Sequence, residues 1–387
     1  MVFVNYNYNM NILFITNFHQ LYGANRSLLS VAEYFKEKGE NVCVLLPKEG
    51  DFSKKLKDEG MNYIVIPYFS QLFYYKKTKR YFAAPFLGLA TLCILPFIIY
   101  KIKKIHPNLI YSNCSAENIG IFIAKALSVK HISHIREFMD LDLERHFIFG
   151  KKAKRNFIKR SDGVIYVTYA VANHVLMGQK LPPNHRVIYN GVQMPKTSFR
   201  ERDISTQINF GIVGLLDKGK GQDIAILYFN EIKSIYPKSI LHIWGDREGT
   251  FKKDLHQLVE RLDLLDRVVF HGFEKNTDII YNDIHILLMC SKSEGFGRVT
   301  IEAMSRGIPV IGYRGGGTIE LVKEGVNGFL FTNKADFVHV VNSLLESQDR
   351  YNEISHNAYV DAHMNYQEKK YTNLVHKFIN EIIRNNE

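Results

Sequence analysis

The chain has 387 residues, 46% hydrophobic and 23% charged, a make-up that suits a folded protein with room for two separate cores. Four scattered cysteines, Cys43, Cys93, Cys114 and Cys290, exclude a disulfide framework or a cysteine-based metal site and point to reduced thiols in a cytosolic protein. The net charge of +11 is uneven: residues 1–195 carry 26 Lys/Arg against 13 Asp/Glu, and residues 196–387 carry 24 against 26. The first half therefore calls for an anionic partner, and with no nucleic-acid module recognisable the better match is a membrane.

The opening MVFVNYNYNM lacks the basic start and apolar run of a signal peptide. Strand-like and helix-like segments then alternate, as in a doubly wound α/β sheet. Asn11–Thr16 reads as a first buried strand, about Asn25–Lys38 as a helix closed by Gly39, and Asn41–Leu46 as the second strand. A helix over about Phe52–Glu59 and a strand over Tyr63–Ile66 follow. Later strands are expected at Asn108–Tyr111, His131–Ile135, Gly163–Thr168 and Arg186–Tyr189, with a helix near Glu117–Ser128.

Two features of this half bear on function. The segment from Tyr22 to Ser27, containing Gly23, Ala24 and Asn25, reads as a strand-to-helix loop with two open interpretations. It is a helix-start anion site or a tight turn capped by Asn25 or Ser27. The G-x-G-x-x-G pattern is absent, which counts against a dehydrogenase. His134-Ile135-Arg136-Glu137 ends a strand, where Arg136 holds a phosphate or a sugar hydroxyl with Glu137 orienting it, or the two form a surface ion pair worth little. Asn113, after Tyr111, is a candidate border of an acceptor pocket.

Tyr81–Tyr100 is a 20-residue run without a charge, long enough to span a bilayer, flanked by Lys76, Lys77, Lys79 and Arg80 and by Lys101, Lys103 and Lys104. Pro85 and Pro96 are expected to interrupt it, and it lies inside the alternation of one sheet, whose successive strands a span would place on opposite sides of the membrane. The expectation is a monotopic apolar helix with basic rims on anionic lipid; a buried crossover helix is the other reading.

Residues 193–207 are polar and read as a linker. A second alternation begins at Ile208–Val213, with helices over about Gln222–Tyr236 and Phe251–Leu262 and strands at Ser239–Trp244, Val268–His271 and Ile284–Cys290. Gly214 and the run to Lys218, Lys220 and Gly221 follow the first of these strands, and a lysine among glycines there suits phosphate neutralisation. Gly245 and Asp246, and Gly272 and Phe273, end two later strands, where ligands of open α/β sheets bind; a nucleotide base belongs there. His271 reads as structural.

The densest signal is Ser293–Phe331. Glu294 and Glu302 stand eight positions apart around Gly295-Phe296-Gly297, where a helix begins over about Thr300–Arg306. The glycines let backbone approach a ligand. The free amides at the helix start suit a diphosphate. Glu302, expected in the first helical turn, suits ribose hydroxyls, and Glu294 suits a sugar beyond the phosphates. Either glutamate taken alone is equally a solvated residue or one that complements the helix dipole.

The assembled order of Glu294/Glu302, Gly307-Ile-Pro309-Val310 and Gly316-Gly317-Thr318-Ile319-Glu320 resembles the retaining glycosyltransferases of family 4, which have the GT-B fold. The resemblance covers roughly residues 11–380. It implies two Rossmann-like doubly wound domains facing a cleft: 1–192 on the acceptor and membrane side, a linker at 193–207, a nucleotide-sugar domain at 208–365, and 366–387 as a helix packing back on the first domain. It also implies transfer with retention from a nucleoside-diphosphate sugar, a UDP-sugar being favoured, to a lipid-linked or glycan acceptor in surface polysaccharide assembly. No metal and no further cofactor are called for.

By resemblance, Lys220, Glu294 and Arg136 carry the chemistry. Gly23, Ala24, Gly214, Gly245, Phe273, Glu294, Gly295, Phe296, Gly297 and Glu302 hold the donor, with Asn25, Asn113 and Glu137 toward the acceptor. The location implied is cytoplasmic, peripheral to the inner face of the cell membrane. Two departures stand out. Relatives show G-R-x-x-x-x-K-G where Leu215 replaces the arginine here, and many carry a histidine at the place of Arg136. They keep open a non-catalytic subunit that partners another transferase or binds a glycan, as well as another activity on the same donor, such as epimerisation.

Overall fold

The computed structural model describes residues 9–69, 73–75, 80–115, 119–142 and 144–384. Lys76, Lys77 and Lys79, most of the opening decapeptide and Glu117 lie outside the described residues. The chain divides into two compact units, one of Met1–Asn190 with Tyr371–Glu387, the other of Gly191–Lys370.

The first unit runs β1 (Asn11–Ile15), α1 (Gly23–Glu37), β2 (Asn41–Leu46), α2 (Asp51–Asp58), β3 (Asn62–Val65), β4 (Phe73–Tyr75), α3 (Arg80–Lys103), β5 (Leu109–Ser112), α4 (Ile119–Leu127), β6 (Lys130–Ile135), β7 (Arg145–Phe147), α5 (Gly150–Ile158), β8 (Gly163–Tyr166), α6 (Tyr169–Leu176) and β9 (His185–Val187). Seven of these strands form a parallel sheet in the order β3-β2-β1-β5-β6-β8-β9. The order reverses direction between β1 and β5. Continuous apolar runs such as NILFI and NVCVLL make these strands because both faces are covered. Ile12 and Phe14 face one core with Phe35 and Tyr111, while Leu13 and Ile15 face another with Ile110 and Ile123. Alternation along one strand thus feeds two layers of helices.

The second unit runs β10 (Asn209–Val213), α7 (Gln222–Ile232), β11 (Ile240–Trp244), α8 (Thr250–Arg261), β12 (Val268–Gly272), α9 (Thr277–Tyr281), β13 (Ile286–Met289), α10 (Arg298–Met304), β14 (Val310–Tyr313), α11 (Thr318–Leu321), β15 (Gly328–Phe331), α12 (Lys334–Leu344) and α13 (Gln348–Asn365). Its parallel sheet has the order β12-β11-β10-β13-β14-β15, reversing between β10 and β13. The last helix, α14 (Glu368–Arg384), belongs to the first unit from Tyr371 onward. Its stripe of Tyr371, Val375, Phe378, Ile379 and Ile382 has helical spacing and packs into the core that holds Phe14 and Phe35. Gly163 admits it closely, since a Cβ there would stand 2.9 Å from Ile382.

Several sequence expectations need correction. Pro85 and Pro96 do not interrupt the apolar run: α3 continues through both for 24 residues. A proline in a helix interior costs about 3 kcal/mol, whereas burying an isoleucine side chain is worth about 1.5–3 kcal/mol. Ile98 and Ile102 are wholly buried, with Ile94, Leu95 and Ile99 packed beside them, so packing carries the helix past its prolines. Turned the other way are Phe86, Leu89, Cys93, Phe97 and Tyr100, a second apolar stripe left exposed. Phe86–Lys103 is long and apolar enough to cross a membrane. Yet β3 before α3 and β5 after it lie in the same sheet, and the inner stripe belongs to that sheet's core. The small antiparallel pair β4–β7 and helices α5, α6, α12 and α13 were not read from the sequence.

Candidate functional site

Each unit gathers its candidate residues where its sheet reverses direction, the place at which open α/β sheets hold ligands. In the second unit this is the end of β10 beside the end of β13. Gly214 leaves β10 at φ +152°, and Lys218–Lys220 form a short turn whose Gly219 N–H is accepted by the Asp217 side chain at 3.0 Å. Gly221, at φ +75°, lies so close to β13 that a Cβ would meet Cys290 O at 2.6 Å. Ser291 Oγ donates to Gly219 O at 2.7 Å, tying the turn down. Held this way, Lys220 Nζ donates to Glu294 Oε2 at 2.7 Å.

Glu294 is positioned from the other side by the glycine loop after β14. The amide of Gly317 donates to Glu294 O at 2.7 Å. A Cβ on Gly316 (φ +57°) would come within 2.6 Å of that same carbonyl, and one on Gly315 within 2.8 Å of Lys292 O. The triple glycine is therefore the means by which the 315–317 backbone lies against 292–294. Gly297, at φ +89°, turns the chain into α10, and Phe296 beside it is buried against Tyr366.

Glu302 is the fifth residue of α10, not in its first turn as expected, because the helix begins at Arg298. Its carboxylate accepts from Tyr281 at 3.2 Å and lies 3.8 Å from Arg298 Nε. Arg298 also donates to Gly191 O at 2.9 Å. Tyr281 was missed in the sequence; no local pattern ties α9 to a helix 17 or more residues later, and only the sheet order brings them together.

Gly245 is packed on the same spot: a Cβ there would stand 1.9 Å from Gly214 O. Its amide donates to Gly272 O at 2.7 Å, so the ends of β10, β11 and β12 form one ledge. On that ledge Trp244 stacks on His271 with centroids 3.8 Å apart, and His271 bonds His242 at 2.8 Å, which accounts for His271 structurally. Phe273 follows, 72% exposed.

In the first unit, α1 starts at Gly23, so Gly23, Ala24 and Asn25 form its first turn instead of a loop before it. Asn25 is not its cap. The buried amide donates to Phe18 O and Gln20 O and accepts from Thr16 Oγ1, pinning the 16–20 segment. Asn113 Nδ2 donates to Ala24 O at 3.1 Å and its Oδ1 accepts from Arg136 Nε at 2.6 Å. Arg136 is buried and donates further to Asn190 Oδ1 at 2.7 Å and Tyr371 Oη at 3.0 Å. Among the described residues it forms no surface ion pair, and Glu137 does not orient it: that carboxylate accepts from Ser115 N and Oγ at 2.9 and 3.0 Å. Burial raises the Glu137 pKa against these bonds. Among the described residues no cluster of His, Cys, Asp and Glu is arranged to hold a metal.

Two family models match the chain, the one described as glycosyltransferase family 4 over residues 22–194 and the one described as glycosyl transferases group 1 over residues 194–361. Similar curated proteins include the Vi polysaccharide biosynthesis protein VipC/TviE of Salmonella typhi, 28% identical over 42% of this chain and 30% of that protein. Another is the sulfoquinovosyl transferase SQD2 of Arabidopsis thaliana, 25% identical over 80% of this chain and 61% of that one. The match thus spans less than two thirds of these relatives' own length. Among solved structures, HepE of Anabaena in complex with UDP and glucose superposes with a TM-score of 0.79 over 96% of this chain and all of that one, at 22% identity. That likeness is one of fold, the GT-B fold.

Proposed function

We propose, from the chain's membership of the group 1 and family 4 glycosyltransferases, that it moves a sugar from a nucleoside-diphosphate donor to a membrane-associated acceptor in surface polysaccharide biosynthesis. The observation that carries this reading is the Lys220–Glu294 pair at the reversal point of the second sheet. A cation and a hydroxyl-binding carboxylate side by side match the two ends of a sugar diphosphate. Lys220 neutralises the leaving diphosphate, Glu294 grips the sugar, Glu302 the ribose, and Phe273 offers an exposed ring to the base. Chemistry of this class depends mainly on charge stabilisation at the departing phosphate. Transfer proceeds with retention: the sugar–phosphate C–O bond breaks, the acceptor oxygen bonds to the same face, and its proton passes to the leaving phosphate. A UDP-sugar is the favoured donor, as UDP and glucose are the ligands of the HepE structure.

The exposed stripe on α3, with Lys101, Lys103 and Lys104 beyond it, supports peripheral attachment to the cytoplasmic face of an anionic membrane. The deciding experiment is a donor panel read by nucleotide release with and without membranes. No release with any donor sinks the transferase reading. A second reading, a non-catalytic GT-B subunit, is favoured by Leu215, which puts no charge where relatives carry arginine. Activity that persists unchanged in Lys220→Ala and Glu294→Ala would select it.

A further inference from the structure

A second charged site lies in the first unit, built from the segment after β6 and from β7, α5 and α6. Asp140, Arg145, His146, Lys151, Lys154 and His174 line a cavity of about 120 Å³. The ring of basic side chains meets one carboxylate within the lining, and that carboxylate is already engaged. Asp140 accepts from His174 Nε2 at 2.6 Å and pairs with Lys151 Nζ at 2.9 Å, so it orients two of the basic groups. Glu137 and Asp142 also act on Lys154. Neither lines the cavity, and both are committed elsewhere, Glu137 to Ser115 and Asp142 to the amides of Phe138 and Met139. Met139, buried at φ +77°, supplies the turn that delivers Asp140. A non-glycine residue held there costs about 1–3 kcal/mol and such strain collects at functional sites.

Size narrows the ligand. Pockets for drug-sized molecules run to about 300–1,000 Å³, so at about 120 Å³ this cavity is on the scale of a phosphate group and well below that of a nucleotide. Position narrows it further. Arg145, His146 and Phe147 are strand β7, which pairs antiparallel with β4, Tyr75 opposite Arg145. Strand β4 leads into α3, whose exposed stripe of Phe86, Leu89, Phe97 and Tyr100 meets solvent. On the other side β7 leads into α5, which carries Lys151, Lys152, Lys154 and Arg155. Among the described elements, α3 packs on β4, β4 pairs with β7 and β7 packs on α5, so the apolar helix and the basic cavity share one set of contacting elements, the two halves of an amphiphile's complement.

We infer that this cavity binds the phosphate head of a lipid-linked acceptor, through Arg145, Lys151, Lys154 and His174, while the α3 stripe takes up its hydrocarbon. The inference rests on the proposed membrane-associated acceptor and names its chemical class. Phosphate held by charge-assisted hydrogen bonds gains most from arginine and lysine side chains fixed in place, and Asp140 does the fixing for Lys151.

The test uses the full chain and two probes, farnesyl diphosphate and inorganic pyrophosphate, measured by calorimetry. Arg145→Gln with Lys151→Gln should weaken farnesyl diphosphate about tenfold or more and remove the matching component of pyrophosphate binding. Phe86→Ser with Phe97→Ser should weaken the farnesyl probe alone. Lys151→Arg, which keeps the charge, should retain most of the binding, and unchanged thermal melts show that the variants fold. Binding equal in wild type and the Arg145/Lys151 variant overturns the inference, as does wild type binding neither probe. Nucleotide release from UDP-glucose separates the two readings. Release with no effect of the cavity variants on binding removes the cavity alone; cavity-dependent binding without release from any donor removes the transferase reading and leaves the cavity standing.

Discussion

Lys220 Nζ stands 2.7 Å from Glu294 Oε2, joining residues 74 positions apart across the point where the second sheet changes direction. The lysine side chain is 41% exposed and the carboxylate 16%, so the pair adds little to stability. On the proposed function, its worth lies in placing charge and acceptor oxygens beforehand, where a diphosphate sugar would otherwise have to order them.

Lys220→Ala and Glu294→Ala should accordingly lower kcat/KM for donor turnover by about 10²–10³, the loss seen when one preorganised group at a developing charge is removed. Unfolding midpoints should stay near wild type. Nucleotide release and a urea titration on the same preparations check both halves.

Gly316→Ala should disturb the site from behind. The added methyl would meet Glu294 O at 2.6 Å in a backbone at φ +57°, costing about 1–3 kcal/mol. The expected signature is a lower melting temperature together with a raised donor KM, since the loop sets where Glu294 stands. An alanine variant with wild-type KM would show that the glycines only ease folding.

Arg136 gives a contrasting expectation. Its three side-chain partners, Asn113, Asn190 and Tyr371, lie on separate segments of the first unit. Arg136→Met strands their buried polar atoms and should cost about 2–4 kcal/mol, with Tyr371→Phe nearer about 0.5–1.5 kcal/mol. Urea unfolding measures both. Wild-type stability in Arg136→Met, paired with lost activity, would assign the residue to ligand contact.

Acid should loosen the first unit before its carboxylates are protonated. Burial pushes His131 down to about 3, with Asp162 opposing, and His185 down to about 4, with Lys159 adding to the effect. Both rings are neutral when folded and protonate at the ordinary 6.5 once unfolded. The stability they contribute is whole above pH 6.5 and is lost as pH falls from there through the folded values. Each group steepens the decline by about 1.4 kcal/mol per pH unit. Unfolding free energies measured from neutral pH down to about pH 4.5 should fall, and less steeply in His131→Gln.

Phe86→Ser with Phe97→Ser should reduce co-sedimentation with anionic vesicles by about tenfold or more, given about 25 cal/mol for each Å² of apolar surface withdrawn from water. Nucleotide release without membranes should be unaffected. Equal sedimentation of variant and wild type would remove α3 as the attachment surface.

Much of this molecule was legible along the chain. NILFI, NVCVLL and ILLM are short apolar runs of the length and make-up of doubly covered strands, and the tetrad Glu294, Gly297, Glu302 and Gly307 marks turn and helix by local backbone chemistry. What the sequence determined by itself was everything set by near neighbours: the alternation of elements, the glycine turns and the unequal charge of the two halves. Only the tertiary structure decided that Arg136 is buried among amides, that Tyr281 holds Glu302, that Gly315–Gly317 brace Glu294, and that α3 runs unbroken through its prolines. Such outcomes depend on which strands lie side by side and on packing energies larger than local preference, and neither is written in the spacing of residues along the chain.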